Sequence, residues 1–237
     1  MTSILLLGFL VGLQHALEVD HIAAVASLTA RGSPLLSQAI RHGAAWGMGH
    51  SLTLLLVGGL VLLLDRTFSD RIALLLELGV GVMLVFLGCD VIGKMWREQV
   101  HLHSQRDKNK MLFLGHSHEP DSTPSPGLQR YVPLRGVPLR SLLVGMMHGM
   151  AGSAALIILT LKAVASPGLG VVYILLFGIG SVIGMVLLAA VISIPLKYSA
   201  RGVIWVHDGI KGVIGVLTLG LGGIMIYRIG IAGGVLL

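Results

Sequence analysis

The sequence has little cysteine, little charge and few aromatic residues. Cys89 is the only cysteine among 237 residues, which excludes an intramolecular disulfide and any cysteine-based zinc or iron–sulfur cluster. Charged residues make up 12% of the chain, whereas a soluble domain carries about 25%. Aromatic residues make up 5% and do not alternate with basic ones, so nucleic acid is not expected as a partner. So little charge cannot cover a water-facing surface, which argues against a soluble protein.

Most of the chain consists of apolar sequence in six blocks. Each block is close to the ~20 residues that span ~30 Å of hydrocarbon, and each is continuously apolar rather than alternating. We therefore predict an all-α membrane protein with six transmembrane helices in a lipid bilayer. The blocks cover residues 4–26, 42–64, 72–93, 140–162, 169–194 and 205–227.

The basic residues predict the orientation in the membrane. The connections after blocks one, three and five hold twelve Lys and Arg residues, and the opposite side holds four. The positive-inside rule places the twelve in the cytoplasm and both termini outside. No basic residue precedes Ile4, so a cleaved signal peptide is disfavoured. The twelve are Arg31, Arg41, Lys94, Arg97, Arg106, Lys108, Lys110, Arg130, Arg135, Arg140, Lys197 and Arg201.

The two halves of the chain contain matching short motifs. An odd number of spans in each half means that the second copy inserts upside down, an architecture typical of transporters with a substrate site near the midplane. We predict a 3+3 inverted repeat, with residues 1–93 and 139–237 as its halves. The matches are Gly12-x-x-His15 with Gly145-x-x-His148 (offset 133), Gly47-x-Gly49 with Gly178-x-Gly180 (offset 131) and Glu77 with Asp208 (offset 131).

The segment 94–138 differs from the rest of the chain. It is polar, holds five prolines and carries the pairs His101/His103 and His116/His118. These features predict a flexible cytoplasmic linker between the halves. Its histidines either hold metal for delivery to the cytosol or are solvated loop residues, and the sequence leaves both open.

The first block contains an unusual run of polar residues, from His15 through Glu18 and Asp20 to His21. A carboxylate at the centre of a membrane span costs about 2.5–3.5 kcal/mol on insertion scales, so it needs a partner or a function. At roughly 100° per residue, Asp20 lies about 140° around a regular helix from His15. Either Asp20 orients an imidazole or binds a neighbouring helix, or the helix is locally unwound so that Asp20 joins the site.

Two further histidines, His50 and His148, lie near the middle of blocks two and four, with small residues beside them. Imidazole and carboxylate ligands suit first-row divalent ions, and the lack of cysteine argues against soft Cu(I). We therefore predict a metal site near the membrane midplane. Its candidate residues are His15, Glu18, Asp20, His21, His50 and His148.

These motifs resemble those of the nickel/cobalt transporter (NiCoT) family. His15-x-x-x-x-Asp20-His21 resembles the family's HX4DH signature, and residues 46–53 resemble its GHS segment. Residues 145–153 resemble the corresponding segment of the shorter, urease-associated UreH-like branch. Glu18 stands where an aspartate is frequent in the family.

The resemblance implies movement of Ni²⁺ or Co²⁺ across a bacterial inner membrane, with the metal as substrate and no cofactor. It also implies a metal-recognition role for the His15, Asp20 and His21 positions. A cytosolic nickel acceptor, such as a urease maturation protein, is an expected partner. The sequence contains neither an HExxH motif nor an ATP-binding P-loop, so we expect a transporter rather than an enzyme.

The expected function is uptake of Ni²⁺, or Co²⁺, into the cytoplasm through the midplane site. An exporter of the same architecture, a non-transporting metal sensor or assembly factor, and a disfavoured intramembrane metalloenzyme are the alternatives. The sequence does not distinguish Ni²⁺ from Co²⁺, and it leaves open the energy source and the oligomeric state.

Overall fold

The structure is a computed structural model that describes residues 2–31, 35–64, 69–101, 138–163, 167–201 and 204–235. Within these ranges the regular elements are helices and there is no strand, as the apolar blocks predict. After the last α-helix the chain continues into a π-helical turn, Tyr227–Ala232. The α-helices are α1 (Thr2–His15), α2 (Val19–Arg31), α3 (Leu36–Leu64), α4 (Asp70–His101), α5 (Leu139–Ala163), α6 (Pro167–Arg201) and α7 (Ile204–Ile226).

Four stretches of the described residues are long and apolar enough to cross a bilayer. They contain 26 to 32 residues each, more than the ~20 that a span requires. The protein is therefore a helical membrane protein. The four stretches are Leu36–Val61, Arg71–Arg97, Gly168–Ser199 and Trp205–Ala232.

The first apolar block is divided into two helices, of which α1 ends at His15 and α2 begins at Val19. The N–H of Leu17 donates to the carbonyl oxygen of Gln14 at 2.9 Å, which closes the end of α1. Asp20 lies in the first turn of α2, where the helix dipole favours a carboxylate. The local unwinding that the sequence offered as one alternative is thus present.

Some helix ends differ from the limits of the apolar blocks. Helix α3 begins at Leu36, six residues before the predicted block, and α4 continues to His101. Polar residues can extend a helix beyond the hydrocarbon, because backbone hydrogen bonds need no apolar side chains. The segment 94–101 of the predicted linker is therefore helical, whereas 102–137 lies outside the described residues.

The helices pack in close pairs. Helix α3 lies against both α5 and α6, α1 lies along α6, and α4 lies along α7, while α2 contacts α7, α6 and α4. At two crossings a glycine meets a backbone carbonyl oxygen. Gly12 of α1 faces the carbonyl oxygen of Phe177 in α6. Gly145 of α5 faces the carbonyl oxygen of Trp46 in α3. A side chain at either glycine would overlap the carbonyl, so glycine permits these close approaches.

Helices α3 and α6 run antiparallel in a defined register. Gly47 faces Val182, and Ser51, one turn further along α3, faces Gly178, one turn back along α6. The hydroxyl of Ser51 donates to the carbonyl oxygen of Gly178 at 3.0 Å. This register gives the relative heights of side chains on the two helices.

A group of charged residues, here called the Asp90 cluster (Arg31, Asp90, Lys94 and Arg140), joins three helices. The carboxylate of Asp90 in α4 accepts hydrogen bonds from Arg31 at the end of α2 and, at 2.6 Å, from Arg140 at the start of α5. The ammonium of Lys94 donates to the carbonyl oxygen of Arg31 at 2.6 Å. The cluster therefore ties the end of α2 to both halves of the chain.

Candidate metal site

The break between α1 and α2 brings histidines from four helices into one group, here called the histidine cluster (His15, His21, His50 and His148). The ring centroids of His15 and His21 are 4.4 Å apart, and those of His21 and His148 are 4.2 Å apart. His50 of α3 lies 5.3 Å from His15 and 5.2 Å from His21 by the same measure. Residues separated by up to 133 positions in the sequence are therefore neighbours.

The two carboxylates predicted for the site contact the histidine cluster directly. One oxygen of Asp20 lies 2.9 Å from His21 Nδ1, and its other oxygen lies 3.1 Å from His148 Nε2. A Glu18 oxygen lies 2.8 Å from His15 Nδ1. Asp20 thus bridges α2 and α5, and a carboxylate bonded to one ring nitrogen sets the direction of the other.

Three of the four histidines are almost fully buried, with His21 1%, His50 0% and His148 2% exposed. Five of the cluster's ring nitrogens are buried with no hydrogen-bond partner among the described residues. Buried polar atoms normally have partners, and leaving one without costs about 1–3 kcal/mol. The five are His15 Nε2, His21 Nε2, both nitrogens of His50 and His148 Nδ1.

The candidate ligands form two overlapping groups of three. His15, His21 and His50 make one group, and Asp20, His21 and His148 make the other. In each group, one donor atom per residue lies within 4.8 Å of the others, which makes the three side chains candidate ligands of one ion. Nitrogen and carboxylate oxygen donors without thiolate suit divalent first-row ions.

The six residues that the sequence predicts for a metal site therefore lie together. Glu18 differs from the other five because its side chain is 56% exposed. Among the four histidines of the cluster, His15 alone is within hydrogen-bonding distance of the Glu18 carboxylate, since Nδ1 of His21 is 4.0 Å away. A regular helix would place Asp20 about 140° around from His15, whereas the break between α1 and α2 brings the Asp20 carboxylate against the histidine cluster.

Two aromatic residues beside the histidine cluster were not predicted. The indole of Trp46 lies 5.3 Å from the ring of His21 and 5.5 Å from that of His148. The ring of Phe177 lies 5.1 Å from that of His15. A sequence signal existed, because Trp46 and Phe177 precede the matched glycines Gly47 and Gly178 and share their offset of 131.

A bundle of membrane-spanning helices around buried imidazoles and carboxylates is typical of integral membrane proteins that handle divalent metals. The comparison with protein families names the class more narrowly. The chain belongs to the NicO family of high-affinity nickel-transport proteins, whose family model matches residues 1–236. The resemblance noted in the sequence is thereby confirmed. Membership also means that the protein is a transporter rather than an enzyme, with nickel as its substrate.

Individual proteins are similar to this chain over most of its length. The chain is 34% identical to the urease accessory protein UreH of Bacillus sp. (strain TB-90) over 235 residues, which cover 99% of this chain and 95% of the relative. It is 28% identical over 217 residues to the chloroplast protein FOR GROWTH AND FERTILITY 1 of Arabidopsis thaliana. That match covers 91% of this chain and 56% of the plant protein. No solved structure matches the chain.

Proposed function

We propose that this protein carries Ni²⁺, or Co²⁺, into the cytoplasm and that the ion binds at the histidine cluster on its way. The observation that supports this most is the set of five buried ring nitrogens that have no hydrogen-bond partner in the described residues. A divalent ion would fill the coordination sites that these nitrogens offer, and nothing else in the described surroundings does. Membership of a nickel-transport family supports Ni²⁺ as the ion.

The charges of the site suit a doubly positive ion. Asp20 and Glu18 supply two negative charges beside the imidazoles, and an ion of charge +2 would make the whole site neutral. Neutrality matters because an uncompensated charge inside a membrane protein is costly. Neutral His15, His21, His50 and His148 would provide nitrogen ligands, and the carboxylates would orient them or bind the ion directly.

We also propose that the six spans form the 3+3 inverted repeat, with α1 and α2 together forming the first span. Contacts at the glycine crossings support this. Gly12 approaches Phe177 as Gly145 approaches Trp46. The two glycines are 133 positions apart and the two aromatics are 131 apart, which are the offsets between the matching motifs of the two halves.

Two more pairs of contacts follow the same offsets. Gly49 faces the carbonyl oxygen of Leu142, and Gly180 faces that of Phe9. In the α4 and α7 pair, Gly81 faces Ile226, and Gly212 faces Met95. Such paired contacts favour alternating access by rocking of one half against the other around a central site.

The proposed orientation has both termini outside a bacterial inner membrane and segment 94–138 in the cytoplasm. The distribution of basic residues supports it. The relative UreH is a urease accessory protein, and urease maturation proteins are therefore proposed as cytosolic acceptors of the nickel.

The decisive experiment is transport of radioactive Ni²⁺ into proteoliposomes that contain the purified protein. We expect uptake that is lost in the His15→Ala/His21→Ala double variant and reduced by competing Co²⁺. Measurements with and without an imposed pH gradient would identify proton coupling. Expression in cells gives the direction, since uptake raises the metal content whereas export raises metal tolerance. Binding without movement in sealed vesicles would contradict the proposal.

A further inference from the structure

Two buried aromatic side chains lie on different sides of the histidine cluster. Trp46 is 0% and Phe177 is 1% exposed. The indole of Trp46 contacts the rings of His21 and His148. The ring of Phe177 contacts that of His15, and it packs with Leu54 and Ile174 in a separate apolar group.

The register of α3 and α6 gives the heights of the two aromatics. Gly47 is level with Val182, and Ser51 is level with Gly178. Because the two helices are antiparallel, Phe177, which precedes Gly178, is level with the residue that follows Ser51. Trp46 therefore lies six residues away along α3, a distance of about 9 Å at 1.5 Å per residue. His50 lies between the two heights. One aromatic is thus on each side of the cluster along the direction in which an ion must move.

The same two residues are equivalent in the proposed repeat. They are separated by 131 positions, the offset that relates α3 to α6. Each also has its own carbonyl oxygen against a glycine of the neighbouring helix, Gly145 for Trp46 and Gly12 for Phe177. Any rocking that opens one of these crossings moves the attached aromatic side chain with it.

We propose that Phe177 and Trp46 are the two gates of the transport path, each closing the cluster from one side of the membrane. This inference rests on the proposed function, because it assigns a role to residues around the same site. A hydrated ion cannot pass a dry apolar constriction, and such constrictions gate by excluding water. Alternating access requires two gates that open at different times, and an inverted repeat supplies them as an equivalent pair.

The indole N–H of Trp46 favours opening of the gate that Trp46 forms. Its Nε1 is buried and has no acceptor among the described residues. A buried N–H without an acceptor is destabilising, and opening that exposes it to water would relieve the cost. Phe177 has no polar atom in its side chain, so the two gates differ in how readily they open.

Cysteine accessibility tests the two gates. In a Cys89→Ser background, Ser181→Cys provides the reporter, because Ser181 is 0% exposed and lies one turn from Phe177 on α6. By the register it is level with Met48, between the two aromatics. A membrane-impermeant cationic thiol reagent is applied to spheroplasts, which present the outer face, and to inside-out vesicles, which present the cytoplasmic face.

We expect Phe177→Ala to raise labelling from one face and Trp46→Ala to raise it from the other. The increase should be roughly tenfold, because minor open states are typically populated at about 0.1–10%. Leu196→Ala is the matched control, since Leu196 is buried on the same helix in a different apolar group. It should leave labelling unchanged from both faces.

Several results would overturn the inference. Labelling that rises from the same face in both variants contradicts two gates, and so does labelling that rises equally in Leu196→Ala. If an alanine variant does not fold, Phe177→Leu and Trp46→Phe replace it. They should give smaller increases from the same faces, and no increase contradicts the inference. Labelling needs no metal. If the unmodified protein takes up no Ni²⁺ while the labelling pattern holds, the proposed function alone has failed.

Discussion

Two carboxylates in this protein bridge the same two helices at different heights, with opposite chemical outcomes. Asp20 joins His21 of α2 to His148 of α5, and Asp90 joins Arg31 of α2 to Arg140 of α5. The two aspartates have similar exposure, 25% and 22%. The exposure of their partners differs. The imidazoles that contact Asp20 are almost fully buried, whereas the guanidiniums that contact Asp90 are 36% and 48% exposed.

The difference lies in what remains on the basic partner after it has bound the carboxylate. A guanidinium has only donors and carries a permanent charge, so the Asp90 cluster is a charge-balanced joint between helices. A neutral imidazole that uses one nitrogen for a carboxylate still offers a lone pair on the other. The Asp20 bridge therefore leaves its partners able to bind metal, whereas the Asp90 bridge holds helix ends together.

The largest expected effect comes from removing ligands from the buried region. The His15→Ala/His21→Ala double variant should lose more than about 100-fold in Ni²⁺ affinity, since it removes two nitrogen donors from one group of three. Isothermal titration calorimetry on detergent-purified protein measures this. Unchanged affinity in a monodisperse sample would show that the site assignment is wrong.

The next effect separates the two carboxylates of the site itself. Asp20→Asn should weaken Ni²⁺ binding by about 10–100-fold, because Asp20 orients two histidines and adjacent groups of this kind have effects of that size. Glu18→Gln is the matched control. It contacts one histidine from an exposed position, so its effect should be smaller. A larger loss in Glu18→Gln would reverse the proposed roles.

A change of pH should affect the two regions differently. Protons compete with metal for imidazole nitrogen, so Ni²⁺ binding should weaken as the pH falls below about 6. The Asp90 cluster contains no histidine, so the apparent melting temperature should change little over the same pH range. Binding titrations and apparent melting temperatures over the same pH series test both points. Affinity that is independent of pH would argue against histidine ligands.

The smallest effect on binding should come from the Asp90 cluster. Asp90→Asn should lower the apparent melting temperature by about 2–4 °C, since exposed ion pairs contribute up to about 1 kcal/mol each. Ni²⁺ affinity should remain within twofold of the unmodified protein, because Asp90 contacts no residue of the histidine cluster in the described structure. A loss as large as that of Asp20→Asn would remove the distinction between the two regions.

Much of the site could be predicted from the sequence because insertion energetics make its residues conspicuous. A carboxylate or histidine inside an apolar block costs enough to need an explanation, so His15, Asp20, His21 and His50 stood out. His148 also lies inside an apolar block, and in addition it matches His15 in the predicted repeat. Burial and grouping of these side chains agree with the predicted site, while metal binding by them remains a prediction.

Other features depend on contacts between helices, which the sequence of one helix does not reveal. The break after His15 places Asp20 within hydrogen-bonding distance of His148 in α5, a contact between helices that a helical angle cannot represent. Trp46 and Phe177 look like ordinary apolar residues of a span, and only the register of α3 against α6 shows them on either side of the cluster.

The sharing of His21 between the two groups of candidate ligands would limit the number of ions that the proposed site holds. Its Nδ1 is engaged by Asp20, so only Nε2 remains for an ion, and that nitrogen has one lone pair. With Nε2 as its one ligand atom, His21 would complete only one of the two groups at a time. Each polypeptide would hold one tightly bound ion at saturation, and the amount of metal moved per turnover would be a single ion per chain.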